Sequence, residues 1–571
     1  MRQHYCEVMD DPYVPITKYE QDFRAKRITA YLDLVDQIVK KNFGAVKESC
    51  FEAGSEITKY FEMLSEKSPL KTLYHKMLAT TEPEAKKAIQ DQLRTEMKPG
   101  DINVNIMTKL DRSNFSPDRK ELPAEFSDAL AALRGYAKST LTSAIVLSAG
   151  VNRRLYTYFG RFEDFYADAT GFIKKKIILK VSDYRSSFIQ GRFFAKKGLW
   201  VSEYRVESGL NCGGHAFASD GYLLGPILDE FRNKKRELIS GLHSICNKAL
   251  QLTNRISFDK PHETTITAQG GIGTSRENKF LMDHYRLDGT GWATPFLLVP
   301  EATNVDEGTL KRLSSADEED LYLSDVSPLG VPFNNLKGSH SDTEKQRRAD
   351  GGRPGSACPK GHLVSNTEFT EKAICTASRQ YQKLKIEQLE TLSLSDEAFQ
   401  QEYDAIVKKA CICNDLAESP RINHDITKKG VGQFTAVCPG PNMAYFTRIV
   451  PLKEMVGHIY GRLNLLNTTY RQNMFIKELQ MYVEYFKKEV EKHAIEPTEH
   501  QIAYFNEFKA NLMEGIEHYR ELFPQMIGET KEYRQRAIDE LEQFKQKIEQ
   551  FMAQHKHIFS DTFPNFAPAT A

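Results

Sequence analysis

The chain has 571 residues, 77 basic and 77 acidic side chains for a formal net charge of zero, and 40% hydrophobic residues. That length predicts about three or four domains, or one large barrel with additions, and supplies a sizeable core. Charge this balanced excludes a dedicated nucleic-acid binder. No run approaches the roughly 18 apolar residues of a membrane span, and no basic stretch followed by an apolar one opens the chain, so a cytoplasmic protein with neither nucleic-acid nor membrane partner is expected.

Residues 1–98 read as a helical region, with Ile28, Leu32, Leu34, Val35, Ile38 and Val39 recurring at three- and four-residue steps. Between 99 and 305 short apolar runs at 102–107, 143–151, 176–181, 199–206, 264–269 and 290–299 are separated by helix-length segments. Parallel strands need crossovers of a dozen residues or more, so this alternation predicts an α/β fold built from βαβ units. Residues 306–460 read as a polar linker, to about 355, followed by a cysteine-bearing domain. Residues 461–560 read as a helical appendage, and 561–571 as a disordered tail.

Two of the strand runs end in glycine clusters that lead toward helices. Gly270, Gly271 and Gly273 follow the run at 264–269, where backbone amides without a Cβ in the way can face a phosphate and a helix adds its positive end. A tight strand-to-helix turn is the plainer reading of the same glycines. Gly213 and Gly214 precede His215, whose imidazole can move a proton near neutral pH; a satisfied structural histidine is the plainer reading. Lys180, at the end of another run, is a candidate cation for the reduced edge of a flat redox ring, or a lysine that extends to solvent.

The order of these loops resembles a known family. Gly209-Leu210-Asn211-Cys212-Gly213-Gly214-His215, then Gly270-Gly271-Ile272, then Asp288-Gly289-Thr290-Gly291-Trp292-Ala293-Thr294-Pro295-Phe296 are similar to the loops of the nitronate monooxygenase (2-nitropropane dioxygenase) type of FMN-binding TIM barrel, to which the flavin enoyl reductases of polyunsaturated fatty acid synthases are related. Val104-Asn105 resembles that family's V-N strand. The resemblance implies a (β/α)8 TIM barrel and covers about 200 residues; the expected cysteine-containing insert or second domain and C-terminal helical bundle come from the residue patterns, since the last two-fifths of the chain have no counterpart in the family. It further implies that Gly270, Gly271, Gly273, Ala293 and Thr294 hold the FMN phosphate, that Asn105 touches the cofactor, and that His215 faces a small-molecule substrate; Lys180, and Gly213 and Gly214, which permit close approach of a flat ligand, are cofactor candidates on their residues alone. The chain departs from the family at Asn211, Cys212 and Ala293, and the family's opening strand has only PYVPI and FGAVKES as candidates.

Nine cysteines without an export signal read as thiols or ligands rather than a disulfide scaffold. Cys375, Cys411, Cys413 and Cys438, with Cys358 as substitute, suit an iron-sulfur cluster, though no paired C-x2-C spacing is present and buried thiols are the plainer reading. Phe475, Leu479, Tyr482 and Phe486 form an apolar helical stripe that packs within the chain or joins a second copy. The combined expectation is an FMN-dependent oxidoreductase with NAD(P)H or an electron-donor protein as partner. Its rivals are a non-catalytic scaffold and a flavin-free lyase or isomerase on a phosphate-binding barrel.

Overall fold

The computed structural model describes residues 1–559 apart from 107–109, 117, 119, 149, 212, 217–218, 359–360, 427–433, 468, 495 and 527, and the side chains of Ser219 and Cys413 also fall outside the description. The expected tail at 561–571 lies outside the described residues, as do Cys212 and the Cys413 thiol.

Six strands make one parallel sheet in sequential order: β1 (Asn103–Ile106), β2 (Ser143–Leu147), β3 (Lys175–Val181), β4 (Val201–Glu207), β5 (Thr265–Gln269) and β6 (Gly289–Gly291). Each neighbouring pair is parallel, because the intervening segments are long enough to cross back over the sheet. The crossovers include α1 (Asp128–Ala137), α2 (Tyr184–Ala195), α3 (Leu224–Leu252) and α4 (Ser275–His284). Sequential parallel order is that of a (β/α)8 barrel, but β1 and β6 are the ends of the sheet, so six strands stand where eight were expected. Among residues 1–98 no strand forms. The PYVPI segment has no regular structure, and FGAVKES lies at the end of the helix Phe23–Glu48, whose last turn carries Lys47 against the negative end of the dipole.

Side-chain alternation divides the sheet into two unlike faces. Ile145, Leu147, Ile177, Leu179, Val181, Tyr204, Val206, Ile266 and Ala268 are buried in the main core beneath the helices. The opposite face carries a small apolar cluster of Ala144, Val146 and Ile178, then polar side chains. There Lys180 Nζ meets Glu207 Oε2 at 3.0 Å, Gln269 Nε2 donates to Glu207 Oε1 at 2.8 Å, and Thr267 Oγ1 donates to Glu203 Oε1 at 2.6 Å.

The region expected as a linker is instead ordered. Glu307–Ser315 is a helix whose first turn is capped by Asp306, and the antiparallel hairpin β7 (Leu321–Ser324) and β8 (Phe333–Leu336) follows. The helix His340–Asp350 is capped by Ser339 and carries Arg347 and Arg348 on Glu344. Its polar composition reflects caps and ion pairs on exposed helices, which a reading for apolar periodicity cannot separate from a linker.

Three long helices end the described chain: α5 (Met474–His493), α6 (Glu499–Leu522) and α7 (Lys531–Gln554). Phe475, Leu479, Tyr482 and Phe486 on α5 are buried in the same core as the sheet. These helices therefore share one hydrophobic core with the sheet. No helix among the described residues is long and apolar enough to cross a membrane.

Candidate functional site

The C-terminal ends of β4, β5 and β6 bring the three glycine-bearing segments together, the end at which ligands bind in parallel α/β sheets. Gly270 and Gly271 both take positive φ, at 95° and 76°. A Cβ on Gly270 would lie 2.8 Å from the Asn211 Cα, so glycine is what allows the β4 and β5 loops to touch. Gly213 has the same role toward another segment: a Cβ there would stand 2.1 Å from the Cys438 carbonyl oxygen, whereas Gly214 faces open space. The stretch 438–441 thus lies against the β4 loop at the sheet's mouth, with Gly440 N donating to Thr294 Oγ1 at 3.0 Å.

The β5 loop is held from behind by residues that sequence reasoning did not select. Asn442 Nδ2 donates to the carbonyls of Gly271 and Ile272 at 2.8 and 2.9 Å, and Arg471 Nη2 donates to Gly271 at 2.7 Å. Arg471 is ion-paired with Glu277 at 2.7 Å, both side chains buried. Burial would lower the Arg471 guanidinium, but the Glu277 carboxylate outweighs it and holds it above its ordinary value. Glu277 also accepts from Gly273 N at 2.9 Å, Thr274 N at 3.2 Å and Met474 N at 3.0 Å. Thr274 and Glu277 form a reciprocal capping box at the start of α4.

That cap decides which amides of the loop can meet a ligand. Gly273 was expected to face a phosphate; its amide is taken by Glu277, and a Cβ there would meet the Arg471 guanidinium at 2.5 Å. Gly273 therefore belongs to the helix cap. The peptide linking Gly271 to Ile272 behaves differently. Its carbonyl is drawn toward Arg471 and Asn442, so in a trans peptide the Ile272 amide points the opposite way. Among the described residues, no main-chain or side-chain acceptor meets the amides of Gly271, Ile272, Ala293 or Thr294, although Gly271, Ile272 and Thr294 are buried. Buried amides without a partner are rare, and a cluster at two adjacent strand ends fits an anionic oxygen acceptor. The residues present thus fit a phosphate at Gly271, Ile272 and Thr294 and not at Gly273.

His215 is half-buried. Its Nε2 lies 2.7 Å from Ser327 Oγ, and its ring meets Phe333 edge-on at 5.0 Å. Asn211 Nδ2 donates to the His215 carbonyl at 2.6 Å, while Asn211 Oδ1 accepts from Gly213 N at 2.7 Å. This fixes the loop's shape and gives His215 a hydroxyl partner through which a proton can pass. Lys180 is on the polar face with its charge paired to Glu207, so it presents a neutralised pair rather than an isolated cation. Asn105 lies exposed on β1, three strands from the β4 loop.

A buried carboxylate from α5 anchors the other side of the mouth. Glu478, 1% exposed, accepts from Ser208 Oγ at 2.8 Å, Gly209 N at 2.9 Å and Leu224 N at 2.9 Å. Burial pushes its carboxyl up, and these donors hold it back. No local pattern marks Glu478, Arg471 or Asn442, because each acts more than 160 residues away in sequence. Glu277 did carry a signal, the Thr274-Ser275-Arg276-Glu277 spacing.

Of the expected cluster ligands, the Cys413 thiol lies outside the described residues. Cys375 is buried in an apolar cluster with Val326, Phe333, Leu363, Ala377, Ala410 and Ile412, against which Cys358 and Cys438 pack. Cys411 stands at the start of the short helix Ile412–Asp415, and the Cys438 backbone lies against Gly213. No group of three or more His, Cys, Asp or Glu side chains able to hold a metal ion occurs among the described residues.

No family model matches the chain, and no curated protein sequence matches it. Among solved structures, a mutant FabK from Thermotoga maritima aligns with a TM-score of 0.32 at 11% identity, covering 71% of this chain and 84% of that one. The enoyl reductase domain of MlnA from the macrolactin biosynthesis cluster of Bacillus amyloliquefaciens aligns with a TM-score of 0.32 at 14% identity, covering 76% and 87%. Likeness this distant leaves the function to be read from the residues themselves.

Proposed function

We propose that the chain is an FMN-dependent oxidoreductase in which the ends of β5 and β6 hold the cofactor's phosphate. The observation that carries this reading is the set of amides at Gly271, Ile272 and Thr294 that meet no acceptor among the described residues, with Ala293 beside them. Main-chain N–H groups recognise phosphate by geometry and need no neighbouring cation, which suits a site whose nearest arginine is already neutralised by Glu277. A bound flavin would supply transfer of a hydride or of single electrons. The chain's own part is to fix the phosphate, to keep the β4 loop closed through Asn211 and Glu478, and to relay a proton between His215 and Ser327.

The substrate is a small molecule admitted over the polar face that carries Lys180, Glu207 and Gln269. The Lys180 ammonium and the Gln269 amide, both held by Glu207, offer N–H donors to a carbonyl or nitro oxygen. NAD(P)H or an electron-donor protein would complete the cycle.

One observation favours a second reading. The stretch 438–441 packs onto Gly213 and Thr294, as it would in a closed scaffold that binds no cofactor. The absorption spectrum of the purified full chain separates the two. Bands near the flavin maxima, with FMN released on denaturation, support the oxidoreductase. A colourless protein that gains no colour on incubation with FMN supports the scaffold.

A further inference from the structure

The cysteine-bearing segment holds a pair of thiols for which the proposed flavin chemistry has no use. Residue 356 is stitched beside 377–379: Ser356 N donates to the Ala377 carbonyl at 3.1 Å, and Arg379 N donates to the Ser356 carbonyl at 3.0 Å. The turn closed by Ser378 N on the Cys375 carbonyl, at 2.8 Å, then brings Cys375 back toward Cys358. Cys375 belongs to one apolar cluster, and Cys358 packs against that cluster. Their accessibility differs, with Cys375 buried and Cys358 partly exposed.

We propose that Cys358 and Cys375 are a modification site that forms a reversible disulfide under hydrogen peroxide. The Cys358 thiolate attacks one peroxide oxygen, giving a sulfenic acid and hydroxide. The Cys375 sulfur then attacks the Cys358 sulfur, the S–O bond breaks, and water leaves with the proton from Cys375. In sum, two thiols and one peroxide give one disulfide and two waters. The order follows from exposure, since peroxide reaches Cys358 first. Burial also pushes the Cys375 thiol up to about 11, so it stays protonated at neutral pH and does not compete for the oxidant.

The pair is wired to the mouth. Cys375 packs in the cluster that contains Phe333, and Phe333 rests on the His215 ring. The same β8 segment bonds the β4 loop directly, with Ala216 N donating to the Pro332 carbonyl at 2.9 Å and Asn334 N to the Gly214 carbonyl at 2.8 Å. Drawing the two sulfurs into a bond shifts this packing, so the redox state of the pair is felt at His215.

The test uses the reduced full chain, desalted and treated with hydrogen peroxide, then alkylated and digested without reductant for peptide mass spectrometry. The expected result is one cross-linked peptide pair joining 358 to 375, a loss of two thiols from the nine in the chain, and full recovery with dithiothreitol. Cys358→Ser should leave Cys375 alkylatable after peroxide, and Cys375→Ser should leave a Cys358 sulfenic acid that dimedone traps. Alkylation of both thiols in the oxidised wild type would overturn the proposal. So would a link from Cys358 to a different cysteine, or stoichiometric zinc or iron in the purified protein that is released when Cys358 and Cys375 are alkylated. Hydrogen exchange at 214–216 should differ between the two redox forms, and identical exchange would overturn the coupling to His215.

Discussion

Glu277→Ala is expected to be among the most damaging single changes outside the apolar core. The carboxylate accepts four hydrogen bonds at 2.7–3.2 Å, from Gly273 N, Thr274 N, Met474 N and Arg471 Nη1. Removing it leaves the Arg471 guanidinium buried without a counter-charge, which costs about 3–5 kcal/mol, and the lost helix cap adds about 1 kcal/mol. The sum, about 4–6 kcal/mol, is a large part of a typical domain's stability. Replacing both members at once should be far milder, because Glu277→Met with Arg471→Met removes the uncompensated charge along with its partner. Guanidinium unfolding followed by Trp292 fluorescence reads this region, since that indole lies 5.9 Å from His458, whose Nε2 bonds the Gly273 carbonyl at 3.0 Å. A Trp200→Phe background isolates the signal of the other tryptophan. If Glu277→Ala costs less than about 1 kcal/mol, or if the double variant is as unstable as the two single losses added, the loop is not held by this pair.

Two further outcomes concern pH. Lys175 is fully buried, its Nζ 2.9 Å from Ser139 Oγ, and burial lowers its ammonium to about 8. Its folded-state value is below the unfolded one, so the fold carries the full cost below about pH 8 and loses that cost as pH rises toward the unfolded value near 10.4. Lys175→Met should therefore gain about 3 kcal/mol at pH 7 and little at pH 10.5, read as the difference in Tm between the two proteins; a gain independent of pH would contradict this. Asp415, which accepts from Ser341 Oγ at 2.5 Å, is raised by burial to about 6. A raised carboxyl favours the fold when protonated, so its stabilisation is present below the unfolded value near 3.9 and is lost as pH rises through 6. Asp415→Asn should match the wild type near pH 4 and exceed it by about 1–2 kcal/mol at pH 7.5, and a variant less stable at pH 7.5 would refute the sign.

The strands β2 to β5 were legible because each supplies four or more apolar or alternating residues bounded by turn signals, and a parallel sheet buries one face under helices. The glycines after β4 and β5 were legible as loops for the same local reason. What the sequence concealed was long-range. Glu478 and Arg471 belong to a stretch that looks like an independent helical appendage, yet both carry buried charge into the strand ends. The assignment of Gly273 to a phosphate failed because the capping box beginning at Thr274 competes for the same amides, a local signal outweighed by the glycine pattern. Absent first strands were misplaced for a simpler reason: FGAVKES offers a short apolar run, but it continues the helix Phe23–Glu48.

If main-chain amides at two strand ends take a phosphate, the ratio of FMN to riboflavin affinity will reveal it. Both ligands carry the same ring and ribityl chain, and they differ only in the phosphoryl group. Titration of the apoprotein with each, followed by quenching of flavin fluorescence, should show FMN binding at least about 100-fold more tightly, since each charge-assisted hydrogen bond contributes about 1.5–3 kcal/mol. Equal affinities, or no binding of either ligand, would contradict the claim.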